Sequence, residues 1–263
     1  MADLKSSTID VVKAAARAEI MPRYLNTAHQ RKSDGSPCSD ADIAAQAYLG
    51  RELLRVVECP LLGEEMSNAE QRRVFAQARE YWCVDPVDGT SNFVNGIPYF
   101  CVSVALIRDG RPVLGVVYDP LADEVFHAQA GGGAFLNDVP LPLRQAVPES
   151  LRRAIAEVDL KRLPQPLAVA IGKEPPFASQ RNFGASALDW CYVAAGRFDA
   201  YAHGNQQLWD YAAGALVLAE AGGFMCSFDA DEFWGGDPLQ RSVVCALHAG
   251  IFREWRDWIR AHM

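Results

Sequence analysis

At 263 residues, 50% hydrophobic and 22% charged, the chain has the makeup of a globular protein able to bury a large core. Its net charge of −8 argues against a nucleic-acid-binding surface, which needs clustered Lys and Arg, and suits clustered acids whose charge a metal offsets. No apolar run approaches the length of a bilayer, so no membrane partner is expected. The opening Met1-Ala2-Asp3-Leu4-Lys5-Ser6 lacks the basic and then apolar pattern of a secretory leader. The seven cysteines are odd in number and show no CxxC spacing, which reads as reduced core cysteine in a cytoplasmic protein. No linker divides the sequence, and the reading is a single unit over 1–263. Within it, 1–140 carries the main site and a meander, and 141–263 is a smaller α/β half that completes the site.

The apolar stripe Ile9, Val12, Ala16, Ile20 predicts a first helix, which Pro22 bends or ends. Residues 31–37 form a polar loop around an Asp34-Gly35 turn signal. A second helix starts at Ser39 or Asp40 and runs toward Val57, with Ser39 and Asp42 arranged as a capping box. Leu61-Leu62-Gly63-Glu64-Glu65 reads as a short strand ending in two acids, and 69–80 as a charged, helix-compatible segment. Tyr81 to Val84 is a buried strand, after which Asp85-Pro86 is expected to force a turn. Ser91 to Val94 could open a helix.

From 101 the period switches to two. Cys101 to Ile107, Val113 to Tyr118 and Glu124 to Ala128 are strands of an antiparallel meander, the first pair joined by Asp109-Gly110. Residues 150–180 alternate apolar runs with Pro-rich breaks and yield no clear element. Ser186 to Ala195 is a helix stopped by Gly196, Arg197 to Ala202 a strand, and Tyr211 to Ala221 an apolar helix opened by Asp210. Two strands, 224–228 and 243–247, and an amphipathic helix, 251–262, close the chain. Helices interleaved with antiparallel strands imply layered sheets.

The chemistry concentrates in Asp85-Pro86-Val87-Asp88-Gly89-Thr90. Two carboxylates, a glycine that lets the backbone approach a ligand, and a hydroxyl at a strand-to-helix turn suit a hard cation with a phosphate. Asp119-Pro120-Leu121-Ala122-Asp123 imitates the motif without the Gly and Thr, and reads as a plain turn. Taken alone, Glu64 and Glu65 suit a solvated edge, and Asp210 a helix N-cap. Gly214, inside an apolar helix, points to close packing. Two carboxylates ~4 Å apart repel by about 4 kcal/mol at an effective dielectric of 20, so gathering Glu64, Asp85, Asp88 and Asp210 would cost several times that unless cations sit among them. The all-oxygen donor set favours Mg²⁺ or Mn²⁺ over Zn²⁺.

Gly63-Glu64-Glu65, Asp85-Pro86-Val87-Asp88-Gly89-Thr90-Ser91-Asn92-Phe93, and Trp209-Asp210-Tyr211-Ala212-Ala213-Gly214 with Gly222-Gly223 occur in this order. Together they resemble the inositol monophosphatase family, within the lithium-sensitive Mg²⁺-dependent phosphatases that include fructose-1,6-bisphosphatase. The resemblance covers most of the chain and is weakest over 140–180. It implies an α/β (α+β) fold, a layered α-β-α-β-α sandwich, commonly a homodimer. Position by position, it implies one Mg²⁺ on Glu64, Asp85 and the Val87 carbonyl, a second on Asp85, Asp88 and Asp210, and a weaker third helped by Glu64. It implies phosphate on the N–H groups of Gly89 and Thr90, and Thr90 with Asp42 orienting and deprotonating the attacking water. Li⁺ is expected to inhibit at the Asp85/Asp88/Asp210 position. The Lys32–Asp34 loop matches the family's mobile flap.

The leaving-alcohol end departs from the pattern. Family members acting on inositol phosphate typically place a Glu seven residues before the Trp-Asp helix acid, and that position is His203 here. Its alternative is a surface histidine at a strand end. Gly184-Ala185-Ser186 falls where the family meets substrate at a helix start. The expected activity is Mg²⁺-dependent hydrolysis of a small phosphorylated alcohol. Histidinol phosphate, fructose 1,6-bisphosphate and 3′-phosphoadenosine phosphate stand as rival substrates, and a regulatory or assembly role on the same fold as a rival of another class.

Overall fold

The computed structural model describes residues 3–26, 29–31, 37–144 and 146–263, with only the backbone described at 29–31 and 37–38. The Lys32–Asp34 loop therefore lies outside the described residues. The helices are α1 (Leu4–Ala15), α2 (Asp40–Val56), α3 (Asn68–Gln77), α4 (Thr90–Asn95), α5 (Gln165–Lys173), α6 (Ser186–Ala194), α7 (Leu208–Glu220) and α8 (Ala249–Ala261). The strands of the first half are β1 (His29–Arg31), β2 (Pro37–Ser39), β3 (Leu61–Gly63), β4 (Glu80–Asp88), β5 (Cys101–Arg108), β6 (Arg111–Asp119), β7 (Glu124–Gln129), β8 (Ala134–Leu136) and β9 (Val139–Pro140). Those of the second are β10 (Ile155–Val158), β11 (Ser179–Arg181), β12 (Ala200–Gln206), β13 (Phe224–Cys226) and β14 (Arg241–Ala246).

Strands β3 to β9 form one sheet in sequence order, parallel only between β3 and β4. The second sheet runs β11-β10-β12-β14-β13, with β10 parallel to both of its neighbours. Alternation along β4 and β5 sends Trp82, Val84, Val102 and Val104 outward onto α1 and α2. The same alternation sends Cys83, Cys101 and Ala105 inward onto α6 and α7. Beyond those helices lie Tyr201, Val243 and Cys245 of the second sheet, whose far face packs Val158, Ala202 and Val244 against α5 and α8. The result is the expected α-β-α-β-α sandwich.

Helix α7 is apolar on every side because it is covered on every side. Gly214 lets it approach α6, for a Cβ there would lie 2.5 Å from the Trp190 Cβ. Among the described residues no helix is long and apolar enough to cross a membrane.

Several elements differ from the sequence reading. The first helix begins at Leu4 and continues through a wider turn over Ala16–Ile20 before Pro22 ends it. The 150–180 region holds β10, α5 and β11, whose pattern is masked because β10 is buried on both faces and only four residues long. Strand β12 starts at Ala200, later than Arg197. Pro86 does not end its strand: β4 runs on to Asp88 through a bulge, where a missing N–H costs no ladder bond.

Candidate active site

That bulge builds the site. Asp85 faces Ser103 and Asp88 faces Cys101, so three steps on β4 match two on β5. The surplus residue reverses the alternation, and two acids three positions apart come to point to the same, inner side of the sheet. Val87 meanwhile turns outward into the α1/α2 core. Asp85 Oδ1 accepts the Val87 N–H at 3.0 Å, which closes the bulge on itself. Gly89 follows at φ +91°, a left-handed conformation open to glycine, with the Ala185 Cβ and the Tyr99 carbonyl each 3.1 Å from where a Cβ would stand.

Thr90 opens α4 with its hydroxyl 3.0 Å from the Val87 carbonyl and 3.1 Å from Asp42 Oδ1, so one proton has two acceptors. Asp42 reaches this point because it caps α2: its Oδ2 accepts the Ser39 N–H at 2.8 Å, and Ser39 Oγ accepts the Ala41 N–H at 3.2 Å. The capping box and the contact to Thr90 are thus one arrangement. Burial raises the Asp42 carboxyl to about 6, with Ser39 bonds pulling it down and Glu64 and Glu65 pushing it up.

Asp88 Oδ2 accepts the Ala187 N–H at 2.6 Å, at the start of α6. Burial raises its carboxyl to about 7 against the backbone bonds of Ala187 and Ser186. The small-residue turn Gly184-Ala185-Ser186 therefore meets Asp88, and the Ser186 hydroxyl bonds to Tyr201. Asp210 lies in the first turn of α7, but as its third residue: Gln207 is the N-cap, and its N–H donates to Asp210 Oδ2 at 2.9 Å. The N-cap expected at Asp210 is thus corrected by three positions, since the helix begins with the apolar Leu208-Trp209 that anchor it in the core.

These acids face one another. Burial, then Glu64, Asp88, Asp210 and Asp42 all raise the Asp85 carboxyl far above the usual range. Burial, Asp88 and Glu64 raise Asp210 likewise, against smaller lowering by the Gln207 N–H and the Arg162 charge. Asp210 and Glu64 keep partial exposure while Asp85 is 2% exposed. Three helix N-termini, of α2, α6 and α7, deliver their partial positive charge here. Among the described residues no three acid, His or Cys side chains are gathered tightly enough to hold an ion. The donor set suits a hard divalent cation, being all carboxylate and carbonyl oxygen under strong mutual repulsion.

Residues without an obvious sequence signal hold the frame. Gln46 Oε1 accepts the Glu65 N–H at 2.9 Å, and buried Gln71 donates to the Gly63 carbonyl at 2.9 Å, fixing the turn that carries Glu64. Asn92 bridges the Tyr99 and Phe183 carbonyls, each at 2.7 Å. Ser103 donates to the Trp209 carbonyl at 3.1 Å, tying α7 to β5. Asn92 alone stood inside a motif. The decoy is a turn as read: Asp119 accepts the Leu121 and Ala122 N–H groups, and Asp123 pairs with Lys13. His203 is a correction to the surface alternative, because it is buried on the inner face of β12. A separate cavity of about 540 Å³, lined by Arg144, Pro148, Arg153 and Asp199, shares no residue with the acids.

A model of the inositol monophosphatase family matches residues 3–259. The chain belongs to that family. It is 39% identical over 217 residues to an inositol-1-monophosphatase of Rhizobium meliloti, covering 79% of this chain and 77% of that one. It is 36% identical over 236 residues to the Nus factor SuhB of Xylella fastidiosa, covering 83% and 80%. Among solved structures, inositol monophosphate-bound SaIMPase-II superposes with a TM-score of 0.76 at 27% identity, over 98% of this chain and 94% of that one. Membership implies a metal-dependent phosphatase, generally one using Mg²⁺.

Proposed function

We propose that this chain is a Mg²⁺-dependent phosphoric monoester hydrolase acting on a small phosphorylated alcohol. The observation that carries the reading is the meeting of Asp85 and Asp88, from the bulged strand, with Asp210 and Glu64 beside the Thr90–Asp42 pair. Glu64, Asp85 and the Val87 carbonyl would hold one ion, and Asp85, Asp88 and Asp210 a second, with Glu64 shared by a third. Such ions lower the pKa of water and offset charge on phosphate and departing alkoxide. Thr90 orients the attacking water and passes a proton toward Asp42, whose carboxyl near 6 leaves it ionised and ready to accept at neutral pH. The N–H groups of Gly89, the N-cap of α4, and of Thr90, its first residue, where no intrahelical partner exists, bind phosphate oxygens. Gly184, Ala185, Ser186 and His203 line the side toward the alcohol. A homodimer in a reducing compartment belongs to the same proposal, consistent with the free thiols among the described residues.

The test is phosphate release at fixed Mg²⁺ from inositol 1-phosphate, histidinol phosphate, fructose 1,6-bisphosphate and 3′-phosphoadenosine phosphate. Turnover of at least one, lost on chelation and lowered by millimolar Li⁺, is the expected result; none with any ester sinks the reading. A second reading, a regulatory or assembly role, rests on the likeness to the Xylella fastidiosa Nus factor SuhB. Protein partners retained by Asp88→Asn, which should abolish turnover, would favour it.

A further inference from the structure

The turn after β10 is pressed onto β12 at one point. Its residues Leu160–Arg162 form a single 3-10 turn capped by Asp159, which accepts the Lys161 N–H at 3.2 Å. At Gly204, where β12 bulges between His203 and Gln206, a Cβ would stand only 1.8 Å from the Arg162 carbonyl oxygen. Backbone lies on backbone, and the turn is fixed beside His203, on the strand that leads into α7 and Asp210.

The charges of this turn do not balance. Asp159 is enclosed, with Lys161 Nζ at 3.8 Å, Asn182 Nδ2 at 3.4 Å and His203 Nε2 at 3.8 Å. His203 adds no charge: its Nδ1 accepts the Asn205 N–H at 3.2 Å, which leaves the proton on Nε2, and burial with Arg162 and Lys161 pushes the ring down to about 3. Lys161 thus answers Asp159. Arg162 is exposed, and while its backbone N–H donates to the Asp159 carbonyl at 3.1 Å, its guanidinium makes no hydrogen bond or ion pair among the described residues. The turn that carries it is held against Gly204, next to His203 and on the strand that runs into the helix of Asp210, so the surplus cation is borne on the side proposed for the leaving alcohol.

We propose that Arg162 is a specificity-determining residue that selects phosphate esters whose alcohol carries a second anionic group, a carboxylate or a further phosphate. A guanidinium fork suits both oxyanions, whereas a neutral polyol offers it nothing to pair with. The inference rests on the phosphatase reading and names the substrate class for it.

The test compares kcat/KM of the full chain in Mg²⁺ for two pairs of esters. Glycerol 2-phosphate and 2-phosphoglycerate differ only by a CH₂OH in place of a carboxylate; inositol 1-phosphate and inositol 1,4-bisphosphate test a second phosphate. Preference for the anionic member by about fivefold is expected, the size of one exposed charge pair, and it should shrink as salt rises. Arg162→Gln should bring the ratio to parity, mainly through KM, while Arg162→Lys keeps part of it. A carboxylate preference alone or a phosphate preference alone identifies which oxyanion is read. Parity in the natural chain, or a ratio that survives Arg162→Gln, overturns the inference while leaving phosphatase activity in place. Absence of release from all four while another phosphate ester is turned over overturns the inference alone; absence of release from every ester removes the phosphatase reading and the inference with it.

Discussion

Replacing Asp85 by Asn separates the charge of the site from its shape. The amide keeps an oxygen to accept the Val87 N–H, now at 3.0 Å, and turns its NH₂ toward the remaining acids. Asp85 is buried among Glu64, Asp88, Asp210 and Asp42, all of which disfavour its charge. Two carboxylates about 7 Å apart repel by about 2 kcal/mol at an effective dielectric of about 20, and several such pairs vanish together. Protonation of the metal-free natural chain absorbs part of this, so the net gain is set at about 1–3 kcal/mol, or about 2–6 °C in Tm for a chain of this length. In Mg²⁺ the order should invert: the natural chain gains about 2.7 kcal/mol when the ion is at 100 times its Kd, and the variant loses most of that gain. Thermal unfolding in chelator and in excess Mg²⁺ measures both halves. A variant less stable than the natural chain in chelator, or one stabilised by Mg²⁺ to the same degree, would show that mutual repulsion is not what the ions relieve.

Thr90→Ala should lower kcat about 100-fold or more with little change in KM, the loss of one positioned proton relay, whereas Thr90→Ser should keep most activity; steady-state phosphate release decides. Glu157 is buried, with one oxygen bonded to the Phe183 N–H at 3.2 Å and the other without a hydrogen-bond partner, and burial raises its carboxyl from 4.5 to about 8. The fold prefers the neutral acid, so this stabilisation is complete below pH 4.5 and is lost as pH rises through 8, at up to about 1.4 kcal/mol per unit. Glu157→Gln should therefore flatten the fall in Tm between pH 5 and 9; an unchanged slope would exclude Glu157 as its source. Gly204→Ala must push the Arg162 backbone aside and should cost about 2–3 kcal/mol, read as a lowered denaturant midpoint with unchanged m.

Much of this site could be read along the chain because its parts are local. The Asp85 to Thr90 run, the Ser39–Asp42 box and the apolar α7 each declare themselves within a few residues, and their order in sequence did the rest. What escaped notice depends on partners far away. The bulge in β4 exists only relative to β5, so no pattern within β4 could tell that Asp85 and Asp88 share a face. Strand β10 has four residues and pairs in parallel with β11 and β12, contacts that leave no alternation behind. Gln46 and Gln71 look like solvent-side helix residues until the Gly63 turn is placed against them. Asp210 shows the subtler failure: its capping chemistry was legible, but the apolar pair Leu208-Trp209 sets where the helix begins.

The single surplus residue in β4 also bears on what changes the chain can survive. Strand parity downstream of Asp85 is reversed once, and Asp88 inherits its direction from that reversal alone. A regular strand over the same four residues would turn Asp88 toward the α1/α2 side, into hydrocarbon, whereas deleting Pro86 would leave Asp85 and Asp88 two steps apart and both inward but without the bulge that the Val87 N–H closes on Asp85. Point substitutions erode such a centre by degrees; one residue inserted here without a second bulge would turn one acid outward at a stroke. The bulge between residues 85 and 88, rather than the identity of the residues within it, therefore sets where the second acid points.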